Sequence, residues 1–327
     1  MSINRPRFSF TQAIEAYLHY APRLPSVAAD AVPTKTDYVD NLLAIADQFD
    51  LIVFDAFGVL NSGPTAIPGA VKTIATLQNT GKKIAVVTND ASSSADAILA
   101  RHRKRGFDFD NGNLISSQQF VAPLMKEHAD ITHWGAMAPA DWPFHVLPDR
   151  VEPLAADRGL YDAVGGFLLI DSENWSDQQQ EMLQQSLIDN PRPILVGNPD
   201  ICAPMGEFLS VESGYFAHLA ADACGVMPQC VGKPYHHVFE EVLRRHPDVD
   251  RNRVLMVGDT VHTDVLGGLA SGIKTLLVHQ GGFLDGQDIE DVFSRSGLRP
   301  HFCARAIGHG IADDERAGAG QIASCGA

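Results

Sequence analysis

From residue 50 the chain alternates short β-branched apolar runs with stretches in which apolar residues recur every three or four positions. The first pattern reads as buried strand and the second as amphipathic helix. It predicts strands over 50–55, 83–88, 252–258 and 273–278, and helices over about 68–80, 93–105, 234–246 and 262–271. Leu114-Ile115-Ser116-Ser117 reads as a further strand, followed by a helix to Lys126. Pro68 opens the first helix and Gly81 closes it. Gly267-Gly268 breaks the last helical pattern, as close packing would require. Strands separated by helices imply parallel pairing, so the expected fold class is α/β, a doubly wound parallel sheet.

A second α/β block interrupts this alternation. Its strand candidates are Ile131–Ala136, His145–Leu147, Val164–Ile170 and Pro193–Val196, with a helix from Asp177 to Asp189. The core pattern then resumes with a helix near 214–224. The expected organisation is an N-terminal helical extension over 1–45, a core over 46–126 and 204–304, an inserted domain over 127–203 and a flexible tail over 305–327. In the extension, Phe10–His19 and Thr36–Gln48 have helical spacing, and Pro22–Pro33 reads as a loop. Such an extension could cover the core or contribute to a homodimer.

Net charge is −15, from 25 basic and 40 acidic residues, which argues against nucleic acid and anionic membranes as partners. The basic cluster Arg101-His102-Arg103-Lys104-Arg105 reads as a solvated helix face. Cys202, Cys224, Cys230, Cys303 and Cys325 are odd in number and form no Cys-x-x-Cys pair, which fits free thiols in a reducing compartment. No run reaches the roughly 18 apolar residues of a membrane span, and the start Met1–Pro6 has no apolar core. The expected location is cytoplasmic.

Four segments carry candidate chemistry. Leu51-Ile52-Val53-Phe54 runs into Asp55-Ala56-Phe57-Gly58, placing a carboxylate where a strand ends, and strand carboxyl ends are where open α/β sheets bind ligands. Ile84–Val87 ends in Thr88-Asn89-Asp90. Val231-Gly232-Lys233-Pro234 sets a lysine ahead of a helix, and Val254–Val257 ends in Gly258-Asp259-Thr260-Val261-His262-Thr263-Asp264. In this order and spacing the segments resemble the haloacid dehalogenase (HAD) superfamily of phosphotransferases. The long insertion between Thr88 and Lys233, with Asn198-Pro199-Asp200 inside it, resembles class IIA, the NagD-like phosphatases, whose insertion is a mobile cap. The resemblance covers roughly residues 48 to 300. It implies Asp55 as the nucleophile that forms an aspartyl-phosphate, Thr88 as donor to the phosphoryl oxygens and Lys233 as a bridge between phosphate and Asp55. It further implies Mg²⁺ held by Asp55, the Phe57 carbonyl, Asp259 and Asp264, with Asn89, Asn198 and Asp200 at the substrate. Asp264 equally suits a helix start, and Asn-Pro-Asp equally suits a plain turn.

One departure bears on function. The family pattern is Asp-x-Asp, whose second Asp protonates the leaving oxygen and then activates water, and this chain has Phe57 there. Such a group supplies about 10² to 10⁴ in rate, so substrates with good leaving groups should be favoured. Asp90 and His262 are the nearest replacements by sequence, with His236 and His237 a turn into the helix after Lys233. The resulting expectation is a Mg²⁺-dependent phosphohydrolase acting on a small phosphorylated metabolite, with a phosphate-binding or regulatory protein of the same fold as the alternative and a dehalogenase third.

Overall fold

A computed structural model describes residues 6–205 and 208–311 of the chain. Its core is a seven-stranded parallel sheet. The strands lie in the order Asp37–Tyr38, Phe302–Ala304, Lys274–Val278, Val254–Gly258, Leu51–Phe54, Lys83–Thr88 and Leu114–Ser116. Leu51–Phe54 is buried at every position, as a strand covered on both faces must be. Its neighbours are Val254–Gly258, with Phe54 opposite Val257, and Lys83–Thr88, with Phe54 opposite Val86. Three strand ends that carry polar motifs therefore open on the same edge.

Helices Ala70–Asn79, Ala95–Lys104 and His236–Arg245 form where the apolar spacing placed them, and Ile289–Ser296 adds a helix that the sequence reading did not name. Gly69 precedes the first with φ +77, so it caps that helix in the left-handed region, and Pro68 lies just outside. The predicted 262–271 helix begins as a wide π turn over Val261–Val265 before continuing as Leu266–Ala270.

A second, five-stranded parallel sheet has the order Gln229–Cys230, Ile194–Val196, Gly166–Leu169, His133–Met137 and Arg150–Pro153. It departs from the sequence reading at three places. His145–Leu147 is not a strand: Phe144–Val146 forms a 3₁₀ turn, and the edge strand is Arg150–Pro153, whose half-exposed residues gave no apolar run. The helix Ser213–Cys224 packs on Asp177–Asp189 rather than on the core, because Phe216, Ala217 and Ala220 meet Leu183 and Leu187. Strand Gln229–Cys230 then closes this sheet, so the inserted block extends past the expected boundary at 203.

The termini differ as well. Thr36–Gln48 is not a helix. Asp37–Tyr38 joins the core sheet beside Phe302–Ala304, and 3₁₀ turns follow at Leu42–Ala44 and Ala46–Gln48. Edge pairing and burial of Leu42 and Ala46 outweigh the helical spacing. Residues 305–311 are packed rather than tail-like: Ile307 is fully buried and its carbonyl accepts from the Leu42 amide. The rest of the expected tail lies outside the described residues. Among the described residues no helix is long and apolar enough to cross a membrane.

Candidate active site

Asp55 begins where strand pairing ends, its amide still donating to Val257 O at 2.9 Å. Beside it, at the end of the neighbouring strand, stands Asp259, and five residues on the π turn brings Asp264 back under both. One carboxylate oxygen from each of Asp55, Asp259 and Asp264 lies within 4.8 Å of the others. Such proximity needs space that a side chain would occupy. A Cβ on Gly58, which has φ +75, would sit 1.9 Å from Asp259 Oδ2. Glycine is thus required there twice over, by conformation and by contact.

Each acid is held differently. Asp264 Oδ2 accepts from the amides of Asp259 and Thr260, both at 3.1 Å, so it splints the turn. Asp259 Oδ2 accepts from the Phe283 amide at 2.7 Å and Oδ1 from the Thr260 hydroxyl at 3.0 Å. Lys233 Nζ reaches Asp55 Oδ1 at 2.6 Å and Asp264 Oδ1 at 2.8 Å, and the lysine is only 2% exposed. A buried lysine survives in charged form only against such partners.

Asn89 fixes that lysine. Its Oδ1 accepts from the Lys233 amide at 2.7 Å, and its Nδ2 donates to Lys233 O at 2.9 Å and to Asp200 Oδ1 at 2.8 Å. Thr88 Oγ1 accepts from the Asp90 amide at 3.2 Å, leaving its proton to donate toward the cavity it lines. Asn198 Oδ1 accepts from the Asp200 amide at 3.1 Å, a local turn bond, while its Nδ2 donates to Glu212 Oε2 at 3.2 Å.

These groups surround one cavity of about 180 Å³, walled by both sheets. Every residue anticipated for the site lines it except Asp264, which lies beneath as the buried partner of Lys233. Phe57 lines it too, with its ring partly buried against the core. The replacement acids suggested by sequence fare worse. Asp90 is bound to Arg101 at 2.5 Å and to the Ser92 and Ser93 amides, and His262 is 1% exposed and outside the cavity.

The charge balance is lopsided, with three clustered carboxylates against one ammonium. Burial, partly offset by Lys233 and reinforced by Asp264, pushes the Asp55 carboxyl up to about 6. Burial and the charges of Asp55 and Asp264 push Asp259 well above the usual range. Burial lowers Lys233, but Asp264, Asp55 and Asp200 outweigh it, so the net shift is upward. Burial lifts Asp200 to about 7 against the pull of Lys233. A small cavity with hard oxygen donors and an excess of negative charge suits a divalent cation.

Residues 52–140 match the family model of haloacid dehalogenase-like hydrolases, and residues 230–307 match a second HAD-hydrolase-like model. The chain belongs to the haloacid dehalogenase superfamily. Its relatives in that superfamily include a glycerol-3-phosphate phosphatase of Gallus gallus, 27% identical over 81% of this chain and 91% of the relative. A 4-nitrophenylphosphatase of Schizosaccharomyces pombe is 26% identical over 67% of this chain and 79% of its own. Among solved structures, a possible sugar phosphatase of Cytophaga hutchinsonii superposes with TM-score 0.70 at 25% identity, covering 84% of this chain and 99% of that one. A glycerol phosphate phosphatase of Mycobacterium tuberculosis, solved in complex with magnesium, shares the fold at TM-score 0.63 and 22% identity, over 80% of this chain and 76% of its own. These relatives are NagD-like, class IIA members of the superfamily.

Among the cavity residues that the HAD motifs left unpredicted are Asp171, Glu212 and Met205. Asp171 was within reach, since it follows the apolar run Gly166–Leu169 in the second sheet as Asp55 follows Leu51–Phe54. Glu212 and Met205 come from a hairpin that only tertiary pairing defines.

Proposed function

We propose that this HAD protein is a Mg²⁺-dependent phosphohydrolase that acts on a small phosphorylated metabolite through an aspartyl-phosphate on Asp55. The observation that carries the reading is the Asp55–Lys233–Asp264 chain of ion pairs at the floor of a cavity shared by the two sheets. A phosphoryl group can be attacked by a carboxylate only if its negative charge is compensated. Asp55, Asp259 and Asp264 would hold the Mg²⁺, with Asp55 and Asp259 facing the cavity, and the Phe57 carbonyl is the fourth ligand in this reading. When bound, the metal supplies positive charge at the phosphoryl oxygens and at the attacking carboxylate.

Lys233 orients Asp55 by occupying Oδ1, which leaves Oδ2 as the attacking atom. Thr88 donates to a phosphoryl oxygen. Asn89 keeps Lys233 and Asp200 in register with that group, and Asn198 holds the turn that carries Asp200. Asp55 Oδ2 bonds to phosphorus as the ester oxygen leaves with the electron pair. Asp200, raised by burial to about 7, is the cavity carboxyl that gives the leaving oxygen its proton and later takes one from the water that releases phosphate. The second sheet acts as a cap, and its Asp171 and Glu212 face the part of the substrate beyond the phosphate.

The test compares aryl and alkyl phosphates with and without Mg²⁺. Wild type should hydrolyse 4-nitrophenyl phosphate in Mg²⁺ and be weaker on glycerol phosphates. Phe57→Asp should raise alkyl turnover by up to about 10², and Asp200→Asn should lower it selectively. A wild type that binds Mg²⁺ and phosphate yet turns over neither class would replace this reading with that of a phosphate-binding protein, the role an aromatic at position 57 favours.

A further inference from the structure

The active site is assembled from two sheets, and one segment outside both packs on the hairpin and the acidic turn that border it. Strand Arg7–Phe8 pairs antiparallel with Leu209–Val211, which pairs with Cys202–Pro204. This hairpin supplies Cys202, Ala203, Pro204 and Met205 to the cavity wall. Helix Phe10–Tyr20 follows, started by a capping box in which Ser9 and Gln12 exchange bonds. It buries Ala13, Ile14, Tyr17 and Tyr20 in a cluster with Ile201, Val261, Val265 and Phe283. At its far end Tyr20 donates to Asp222 at 2.9 Å, and Arg23 pairs with the same carboxylate and donates to His218 O at 3.2 Å. Asp222 and His218 lie on the helix that covers the second sheet.

Tyr17 is the centre of this arrangement. Its ring stacks on His262 at 4.7 Å with 9° between planes, and His262 sits inside the Asp259–Asp264 turn. Among the described residues neither His262 ring nitrogen has a partner, and the residue is 1% exposed, so the ring is held by packing. Tyr17 also meets Phe283 edge-on at 5.8 Å, and the Phe283 amide is the donor that fixes Asp259 Oδ2. Tyr17 packs in one buried cluster with Ile201 and Cys202, at the root of the cavity wall.

We propose that Tyr17 is a positioning residue of the active site, with its ring setting the acidic turn and packing against the root of the Cys202–Met205 wall, so that the N-terminal segment clasps the cap side to the core. The proposal rests on the phosphohydrolase reading for its kinetic arm only. Groups that orient a ligand's own supports typically change metal affinity or activity by about 10- to 100-fold when removed.

The ring should prove to be the part that matters. Tyr17→Ala should weaken Mg²⁺ binding, measured by calorimetry on the full chain, by about tenfold. Tyr17→Phe keeps the ring and should restore both Mg²⁺ affinity and KM for 4-nitrophenyl phosphate, which Tyr17→Ala raises. Hydrogen exchange should quicken in both 200–205 and 259–264 for Tyr17→Ala. Ile14→Val on the same helix removes a buried methyl and serves as the control: it should lower Tm without changing Mg²⁺ affinity or KM. Wild-type Mg²⁺ affinity and exchange in Tyr17→Ala, or an equal effect from Ile14→Val, would reduce Tyr17 to ordinary packing and overturn the proposal. If wild type shows no turnover, the phosphohydrolase reading fails while the calorimetry and exchange still decide the clasp.

Discussion

Asp259→Asn should make the metal-free protein more stable while removing its response to Mg²⁺. Asp259 is 2% exposed, and its carboxylate shares a 4.8 Å cluster with those of Asp55 and Asp264. Two unit charges at that separation repel by about 3 kcal/mol at an effective dielectric near 20, while the ion pairs of Lys233 run to the other two acids. Asparagine keeps the local bonds. Its Oδ1 can accept from the Phe283 amide and its Nδ2 can donate to the Thr260 hydroxyl. The sign with pH follows from the raised folded pKa of Asp259. A carboxyl that holds its proton more tightly when folded loses stability as pH rises above its unfolded value, about 4. The advantage of asparagine therefore grows from about pH 4 upward and is present at pH 8. There, in EDTA, Asp259→Asn should be more stable by about 1–3 kcal/mol, a Tm gain of a few degrees. Free Mg²⁺ at about 1,000 times its Kd adds about 4.1 kcal/mol to a protein with the site, so the order should reverse in Mg²⁺. Scanning calorimetry in the two buffers is the assay. A variant no more stable than wild type in EDTA, or one stabilised equally by Mg²⁺, would refute the argument.

Gly58→Ala should abolish Mg²⁺ binding and cost several degrees in Tm, because the new Cβ would fall 1.9 Å from Asp259 Oδ2 at a φ of +75; calorimetric titration and a thermal melt would show it, and an unaffected variant would mean the turn can rebuild. Stability should also fall as pH drops from about 6.5 to about 4. Burial depresses His102 and His218 to about 4 in the folded chain, so the unfolded chain binds their protons first. Each contributes on the order of 3 kcal/mol across that window. His102→Phe should flatten the acid limb in urea melts, since His102 Nδ1 has no partner among the described residues and its ring already lies edge-on to Phe109 at 5.4 Å.

The core site was legible because its chemistry follows fully buried strands. Leu51–Phe54 and Val254–Gly258 are apolar at nearly every position, so the first acid after each run marks the sheet edge where ligands bind. The same rule applied to Gly166–Leu169 points to Asp171. Illegible features share one cause, which is that tertiary pairing overrode local pattern. Asp37–Tyr38 has exposed residues within a helical spacing, yet a partner more than two hundred residues away makes it strand. Arg150–Pro153 is a half-exposed edge with a proline, and no alternation marks it. Ser213–Cys224 read correctly as a helix, but nothing in its own periodicity says which sheet receives its apolar face. Sequence nominated Asp90 and His262 by proximity in the chain, whereas three dimensions tied Asp90, at the cavity wall, to Arg101 and buried His262 under Tyr17, so that Asp200 is the cavity acid this reading turns to.

The strand order of the core sheet has a consequence for how the chain is made. Leu51–Phe54 takes one neighbour, Lys83–Thr88, soon after it emerges, but its other neighbour is Val254–Gly258. Roughly 200 residues of synthesis separate the two, or about 10 to 40 s at typical rates of elongation. Through that interval a fully apolar strand presents an open hydrogen-bonding edge, the kind of surface that recruits other chains. The nascent protein should be a client of ribosome-associated chaperones until Val254–Gly258 has cleared the exit tunnel, and slowing translation before that point should raise its aggregation more than slowing it afterwards.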